Sequence, residues 1–181
     1  MTPNNRSLTA GVVSGALSFA ACFLPGGVGS TWAPGLIFGA LVLAPSHSGV
    51  GRRAPLVVAS ALVYRGAVWL ASTLYMNVQL GTNGAHLPSC TLAGGLGALA
   101  LAVATSLVTR EPAERAATRR SIAFGALAGA LLDAYFAFAD GDRFVDQAAA
   151  FGCFAVWQGS YAALHRLDPW RAFTGLVGAR P

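Results

Sequence analysis

Two side chains of opposite charge interrupt long apolar stretches of this chain. Arg65 stands near the middle of the apolar run 54–76, and Asp133 stands well inside the run 120–139. A lone charge at the centre of a bilayer costs about 2.5–3.5 kcal/mol on insertion scales, so such residues are rare and are candidates for functional sites. Counted at 1.5 Å per residue from the starts of their runs, both lie roughly 16–20 Å deep. We therefore predict that Arg65 and Asp133 meet, directly or through Gln158 or a water.

Two uncharged polar residues share one face of the last apolar run, 147–164. Gln158 reaches a depth similar to that of the two charges, and Tyr161 lies one helical turn further along. Together they predict a polar site near the bilayer midplane for an anion, a proton or a lipid headgroup. Its residues are Arg65, Asp133, Gln158 and Tyr161. The alternative is a buried ion pair that only fixes which helices meet.

Motifs for hydrolysis, metal binding and phosphate binding are missing from the sequence. There is no G-x-S-x-G, no H-E-x-x-H and no phosphate-binding glycine loop. No serine and histidine fall at matched depth, and no two histidines share a run, which argues against bis-histidine haem ligation. Asp140, Asp142 and Asp146 offer cation ligands, but a solvated acidic loop explains them better. We expect no catalytic residue, no metal and no cofactor, and the sequence favours a protein that is not an enzyme.

The three cysteines, Cys22, Cys90 and Cys153, lack the spacing of a zinc or thioredoxin-like site. Cys22 and Cys90 both fall near the outer ends of their runs, where an oxidising compartment would allow a disulfide between them. Buried free thiols are the commoner alternative.

The elements that carry these residues are apolar helices. Of the 181 residues, 55% are hydrophobic and only 10% are charged, whereas soluble domains carry about 25% charged residues. No connection is long enough to hold a soluble domain, so residues 1–181 form a single domain. We predict an all-α integral membrane protein, a compact bundle of about six transmembrane helices. The spans cover approximately residues 8–24, 32–44, 54–76, 88–108, 120–139 and 147–164.

Two of these spans allow other interpretations. The run 8–24 follows a basic residue and is short, so a signal peptide is the alternative to a first spanning helix. The run 32–44 is short for a bilayer that needs about 20 residues, and it is tilted, re-entrant or extended into its flanks.

The twelve arginines of the chain, which has no lysine, set the orientation. With six spans and both termini in the cytoplasm, ten arginines fall on the cytoplasmic side, one on the opposite side and one inside a span. This asymmetry predicts a multi-pass protein of the inner (plasma) membrane. The abundance of Ala and Gly and the absence of Lys suggest a bacterial source. Because the arginines form short clusters between apolar runs, we expect no nucleic-acid partner.

Glycines four residues apart recur in three of the runs, a spacing that lets helices approach closely. The pairs are Gly11 and Gly15, Gly35 and Gly39, and Gly125 and Gly129. With no catalytic motif, they favour a protein that acts by assembly in the lipid bilayer. It would be a small channel or carrier in transport, as a homo-oligomer or as a subunit of a larger membrane complex. The alternative is a membrane-embedded enzyme or lipid-binding protein that uses the polar cluster around Arg65 and Asp133.

Overall fold

The computed structural model describes residues 2–23, 31–47, 50–79, 89–138 and 143–170. These residues form six helices and no strand, which confirms the predicted all-α class. The helices are α1 (Pro3–Ala21), α2 (Ala33–Ser46), α3 (Val50–Gln79), α4 (Ser89–Thr109), α5 (Arg115–Phe138) and α6 (Arg143–Leu164). The acidic residues Asp140 and Asp142 lie outside the described residues, as does the side chain of Asp146.

α2 is the shortest helix. Pro34 occupies its first turn, where a missing N–H costs nothing. Near its end the helix widens into a π turn over Gly39–Leu43, immediately before Pro45, which has no N–H to donate to the preceding turn. At 1.5 Å per residue its 14 residues measure about 21 Å, less than the thickness of a bilayer core.

The helices form a closed ring in which each one packs against its neighbours in sequence and α6 packs against α1. Neighbouring helices run antiparallel. Gly11 and Gly15 of α1 lie against Gly159 and Ala155 of α6, and Ser121 near the start of α5 meets His165, which directly follows α6. The start of α1 and the end of α6 therefore lie at the same end of the bundle. We call this the arginine-rich end. It carries Arg6, Arg52, Arg53, Arg110, Arg115, Arg119, Arg120 and Arg166.

The three glycine pairs all lie in contacts within the chain. Gly11 and Gly15 face α6, Gly35 and Gly39 face α3, and Gly125 and Gly129 face α4. The last contact is the tightest, because a Cβ on Gly129 would collide with the carbonyl of Cys90. The faces marked by these glycines are thus covered by the protein's own helices.

Polar and apolar residues are distributed in an unusual way between inside and outside. Ser7, Ser14, Ser18, Ser60, Ser121 and Gln158 are buried. Large apolar side chains on all the helices are exposed, among them Leu17, Leu41, Leu62, Leu96, Leu127 and Phe151. Among the described residues two helices, Gly51–Leu74 and Ser89–Thr109, are long and apolar enough to cross a membrane, by length and composition only.

Replacing Gly129 by Ala should destabilise the fold by about 1–3 kcal/mol, because the added methyl group forces α4 and α5 apart. Gly66→Ala is the matched control, since Gly66 lies in α3 with no atom near its missing Cβ. The control should be neutral or more stable by up to about 1 kcal/mol, the difference in helix propensity. Thermal unfolding in detergent measures both. An equal loss in the two variants would contradict the close contact at Gly129.

Candidate functional site

Asp133 caps the start of α4. Its Oδ1 accepts a hydrogen bond from the backbone N–H of Cys90 at 2.9 Å, and its Oδ2 accepts from the N–H and the hydroxyl of Thr91 at 2.7 and 2.6 Å. The first N–H groups of a helix have no partner inside the helix, and its positive dipole end attracts a carboxylate. A side chain of α5 therefore satisfies the open end of α4.

Arg65 packs against Trp32, just before α2, and has no acidic partner among the described residues. Its guanidinium carbon lies 5.9 Å from the centroid of the Trp32 ring, within the range of a cation–π interaction. Trp32 immediately precedes the first residue of α2. The charge in the middle of α3 is thereby fixed against the start of the shortest helix.

The predicted direct contact between Arg65 and Asp133 is wrong: no ion pair joins them in the part of the chain that the structure describes. Ala67, two residues after Arg65, faces Gly97, which is seven residues along α4 from Cys90, the residue that binds Asp133. At 1.5 Å per residue this separates the two charges by at least about 10 Å in depth along the helices. Equal distances from the starts of two helices give equal depths only if the helices start at the same height.

Gln158 does not bridge the two charges either. It is fully buried between α6 and α1, where its Nε2 donates to Ser18 Oγ at 2.9 Å. Its Oε1 and the nearby Ser14 hydroxyl are buried without a partner among the described residues. The four residues of the predicted midplane site thus lie in separate places.

Tyr161, the fourth of these residues, lines a pocket at the arginine-rich end, which we call the polar pocket. It has a volume of about 200 Å³ and lies between the ends of α2, α4 and α6 and the connection from α4 to α5. Its polar residues are His47, Thr105, Ser106, Thr109, Glu111, Glu114, Tyr161, His165 and Arg166. No group of three His, Cys, Asp or Glu residues suited to a metal ion occurs in the described ranges.

His165 is held on two sides. Its ring stacks on Tyr161 with centroids 4.3 Å apart, and its Nε2 lies 3.0 Å from Ser121 Oγ. The Ser121 hydroxyl donates its one proton to the carbonyl of Ala117 at 2.9 Å, so Nε2 donates to Oγ. In the neutral ring Nδ1 is then a hydrogen-bond acceptor.

His47 presents an acceptor as well. Its Nδ1 lies 2.8 Å from the carbonyl of Leu43, which only accepts, so Nδ1 carries the proton and Nε2 accepts. With the carboxylates of Glu111 and Glu114, the polar pocket offers four acceptor groups against one guanidinium, Arg166. This balance suits a ligand that is positively charged or rich in N–H and O–H groups.

An aromatic layer closes the pocket toward the middle of the bundle. Tyr161 meets Phe38 at 5.9 Å between ring centroids, Phe38 meets Trp157 at 6.3 Å, and Trp157 meets Tyr64 at 6.0 Å. The layer ends at Phe154, 6.0 Å from Tyr64. These rings come from α2, α3 and α6, so the layer crosses the interior.

Beyond the aromatic layer lies a second cavity of about 120 Å³, enclosed by α3, α4, α5 and α6. We call it the thiol cavity, because Cys90 and Cys153 line it together with Tyr64, Phe154 and Trp157 of the aromatic layer. Most of the remaining lining is Gly and Ala, whose small side chains leave the space open. All three cysteines are free thiols, which was the commoner of the two alternatives, and no disulfide joins Cys22 to Cys90.

The contact between Ser121 and His165 is the feature that the sequence analysis missed. Depths counted along each run placed no serine beside a histidine. A signal was nevertheless present: Ser121 heads the small-residue face of α5 with Gly125 and Gly129, and His165 follows Tyr161 by one turn on α6. Antiparallel packing of α5 on α6 brings these two ends together.

Arg65 and Asp133 should contribute to stability independently, because they have separate partners about 10 Å apart in depth. We expect Asp133→Ala to cost about 1–3 kcal/mol, since it strands two N–H groups of α4. Arg65→Ala should cost less, and the double variant should show the sum. Unfolding in detergent of the two single variants and the double variant measures this. If the double variant is more stable than either single variant, Arg65 and Asp133 form an ion pair after all.

Stability should fall as the pH drops below the ordinary pKa of histidine, about 6.5. Burial lowers the pKa of His165, and the Glu114 carboxylate opposes part of that shift. The unfolded chain therefore binds a proton at a pH where the folded protein does not, and acid favours unfolding. His165→Gln should flatten the melting temperature between pH 5 and 7, and Glu114→Gln should steepen it. An unchanged slope in His165→Gln would show that His165 is not the group responsible.

No protein-family model matches this chain, and no curated protein and no solved structure matches it either, so its function has to be inferred from its own geometry.

Proposed function

We propose that the protein is a multi-pass carrier or channel for a small solute in a bacterial inner membrane. The observation that supports transport most directly is the order of features along the bundle interior. The polar pocket, the aromatic layer and the thiol cavity follow one another, and the layer supplies walls to both spaces. A carrier needs such a pair of spaces on either side of a removable barrier.

The membrane setting is supported by the surface of the bundle. Leu62 is 57% exposed, Leu96 52% and Leu127 52%, whereas Ser18, Ser60 and Ser121 are buried. In water this distribution would expose many large apolar side chains at the expense of polar ones. In lipid it is favourable, because the hydrocarbon covers the leucines and the polar groups find partners inside.

The orientation follows from the arginines. The described residues place eight of them at one end of the bundle, together with the start of α1 and the end of α6. By the positive-inside rule we expect this end to face the cytoplasm, with the start of α1, the end of α6 and the polar pocket on that side. The polar pocket is then an entry site for a cytoplasmic solute or an exit site for an imported one.

The solute class follows from the lining of the polar pocket. Two carboxylates, two imidazole acceptors and one guanidinium favour a small amine or another hydrogen-bond donor over an anion. Glu111 and Glu114 supply negative charge for a cation. The apolar thiol cavity restricts passage to small molecules.

Assembly with other chains stays a prediction. The glycine pairs that suggested it contact α3, α4 and α6 of the same chain. Both cavities lie within one chain, so the proposed transport needs no second copy.

A membrane-embedded hydrolase is the second candidate, favoured by the 3.0 Å contact between Ser121 and His165. A nucleophilic serine has to give its proton to the histidine, but here the Ser121 hydroxyl donates its hydrogen bond to the carbonyl of Ala117 instead. Ser121 is also only 2% exposed. Covalent labelling of Ser121 by a fluorophosphonate would favour the hydrolase over the carrier.

Opening the aromatic layer should join the two spaces. We expect Phe38→Leu and Phe38→Ala to raise the rate at which a small cationic, membrane-impermeant methanethiosulfonate, added on the pocket side, labels Cys90 and Cys153 in liposomes. Methylammonium flux should rise in the same variants. Phe38→Leu keeps an apolar core and guards against loss of folding, which is the risk in Phe38→Ala.

Leu62→Ala, on the exposed face of α3, is the matched control and should change neither labelling nor flux. Mass spectrometry identifies which cysteine is modified. Labelling that stays at the wild-type rate in both folded Phe38 variants would contradict the proposal that the aromatic layer is the barrier.

A further inference from the structure

A separate apolar groove lies on the outer surface of the bundle. It has a volume of about 470 Å³ and runs over α6 between α1 and α5. We call it the surface groove. Its lining consists of Leu8, Val12, Phe124, Ala155, Val156, Ser160, Ala163 and Leu164.

The groove exists because α6 carries small side chains where its neighbours carry large ones. Ala155, Ser160 and Ala163 form the floor, whereas Leu8 of α1 and Phe124 of α5 rise at the sides and are 46% and 41% exposed. The result is an open apolar groove on the outer surface of the bundle.

Two exposed polar residues precede rim residues of the surface groove by one helical turn. Arg120 precedes Phe124 by four residues and Asn4 precedes Leu8 by four, so each shares a helix face with a rim residue. Both α1 and α5 begin at the arginine-rich end, and both polar side chains are exposed. A chain lying in the groove would therefore lead to a guanidinium and an amide, which both donate hydrogen bonds to phosphate.

We propose that the surface groove binds one anionic phospholipid of the cytoplasmic leaflet, with an acyl chain along α6 and its phosphate at Arg120 and Asn4. This rests on the membrane setting of the proposed function, although not on transport. The described residues of that end include eight arginines but only three acidic residues, Glu111, Glu114 and Asp168. This excess of positive charge favours an anionic headgroup over a zwitterionic one. A second copy would fit less well, because it would bring two arginine-rich ends side by side.

Native mass spectrometry of the full chain in mild detergent, titrated with phosphatidylglycerol or phosphatidylcholine, tests the proposal. Wild type should bind one phosphatidylglycerol in preference to phosphatidylcholine. Arg120→Gln should weaken phosphatidylglycerol binding about fivefold and remove the preference. Ala163→Leu, which fills the floor of the groove, should weaken binding of both lipids.

Arg119→Gln is the matched control, since Arg119 is also exposed but points about 140° away from Phe124 around the helix axis. It should bind as wild type does. An equal loss in the Arg119 and Arg120 variants would reduce the effect to general surface charge and overturn the proposal. A lipid-free dimer that Ala163→Leu disrupts would also overturn it, with a second copy as the occupant.

Flotation with liposomes separates this inference from the proposed function. If the wild-type protein floats but Ala163→Leu binds lipid as well as wild type does, the lipid-site proposal is contradicted. The carrier proposal is not affected by that outcome. A folded protein that fails to float would end the membrane setting and both proposals with it.

Discussion

The close approach of α4 and α5 is the contact on which the interior depends. At Gly94, Gly125 and Gly129 the two backbones meet with no side chain between them. Only at this separation does the carboxylate of Asp133 reach the first N–H groups of α4. In a hydrocarbon environment those groups would otherwise be unpaired at a cost of several kcal/mol. The glycines therefore let α4 and α5 come close together, and Asp133 fixes their relative position along the helix axes.

The same contact leaves room elsewhere in the bundle. Where α4 and α5 carry Gly and Ala, nothing fills the space toward α3 and α6, and the thiol cavity results. On the other side of the cavity α6 contributes large rings, Phe154 and Trp157, which pack with Tyr64 and form the aromatic layer. Small residues on α4 and α5 thus leave room for the thiol cavity, and large residues on α2, α3 and α6 form the aromatic layer beside it.

The sequence predicted the all-helical class, the number of helices and the end at which the arginines gather. These follow from composition and apolar runs, which are properties of single segments. The partners of Arg65 and Asp133 depend on relative heights of helices, which residue counting within one run does not contain. Asp133 also binds backbone N–H groups, and these carry no signature in the sequence. The contact between Ser121 and His165 was missed because it depends on how far α5 and α6 are shifted against each other, and counting residues within one run does not give that shift.

The arginine-rich end and the polar pocket lie close together yet act over different distances. Most of the arginines are exposed, and at physiological ionic strength their field falls off within about 8 Å. Summed over the end of the bundle, they would set the proposed orientation and attract the proposed anionic headgroups. A solute inside the pocket is within a few ångströms of Glu111, Glu114 and the two imidazoles, where screening by ions is weak. A positive end can therefore contain the proposed cation site, because the nearest groups would decide what binds and the distant ones would decide the proposed orientation.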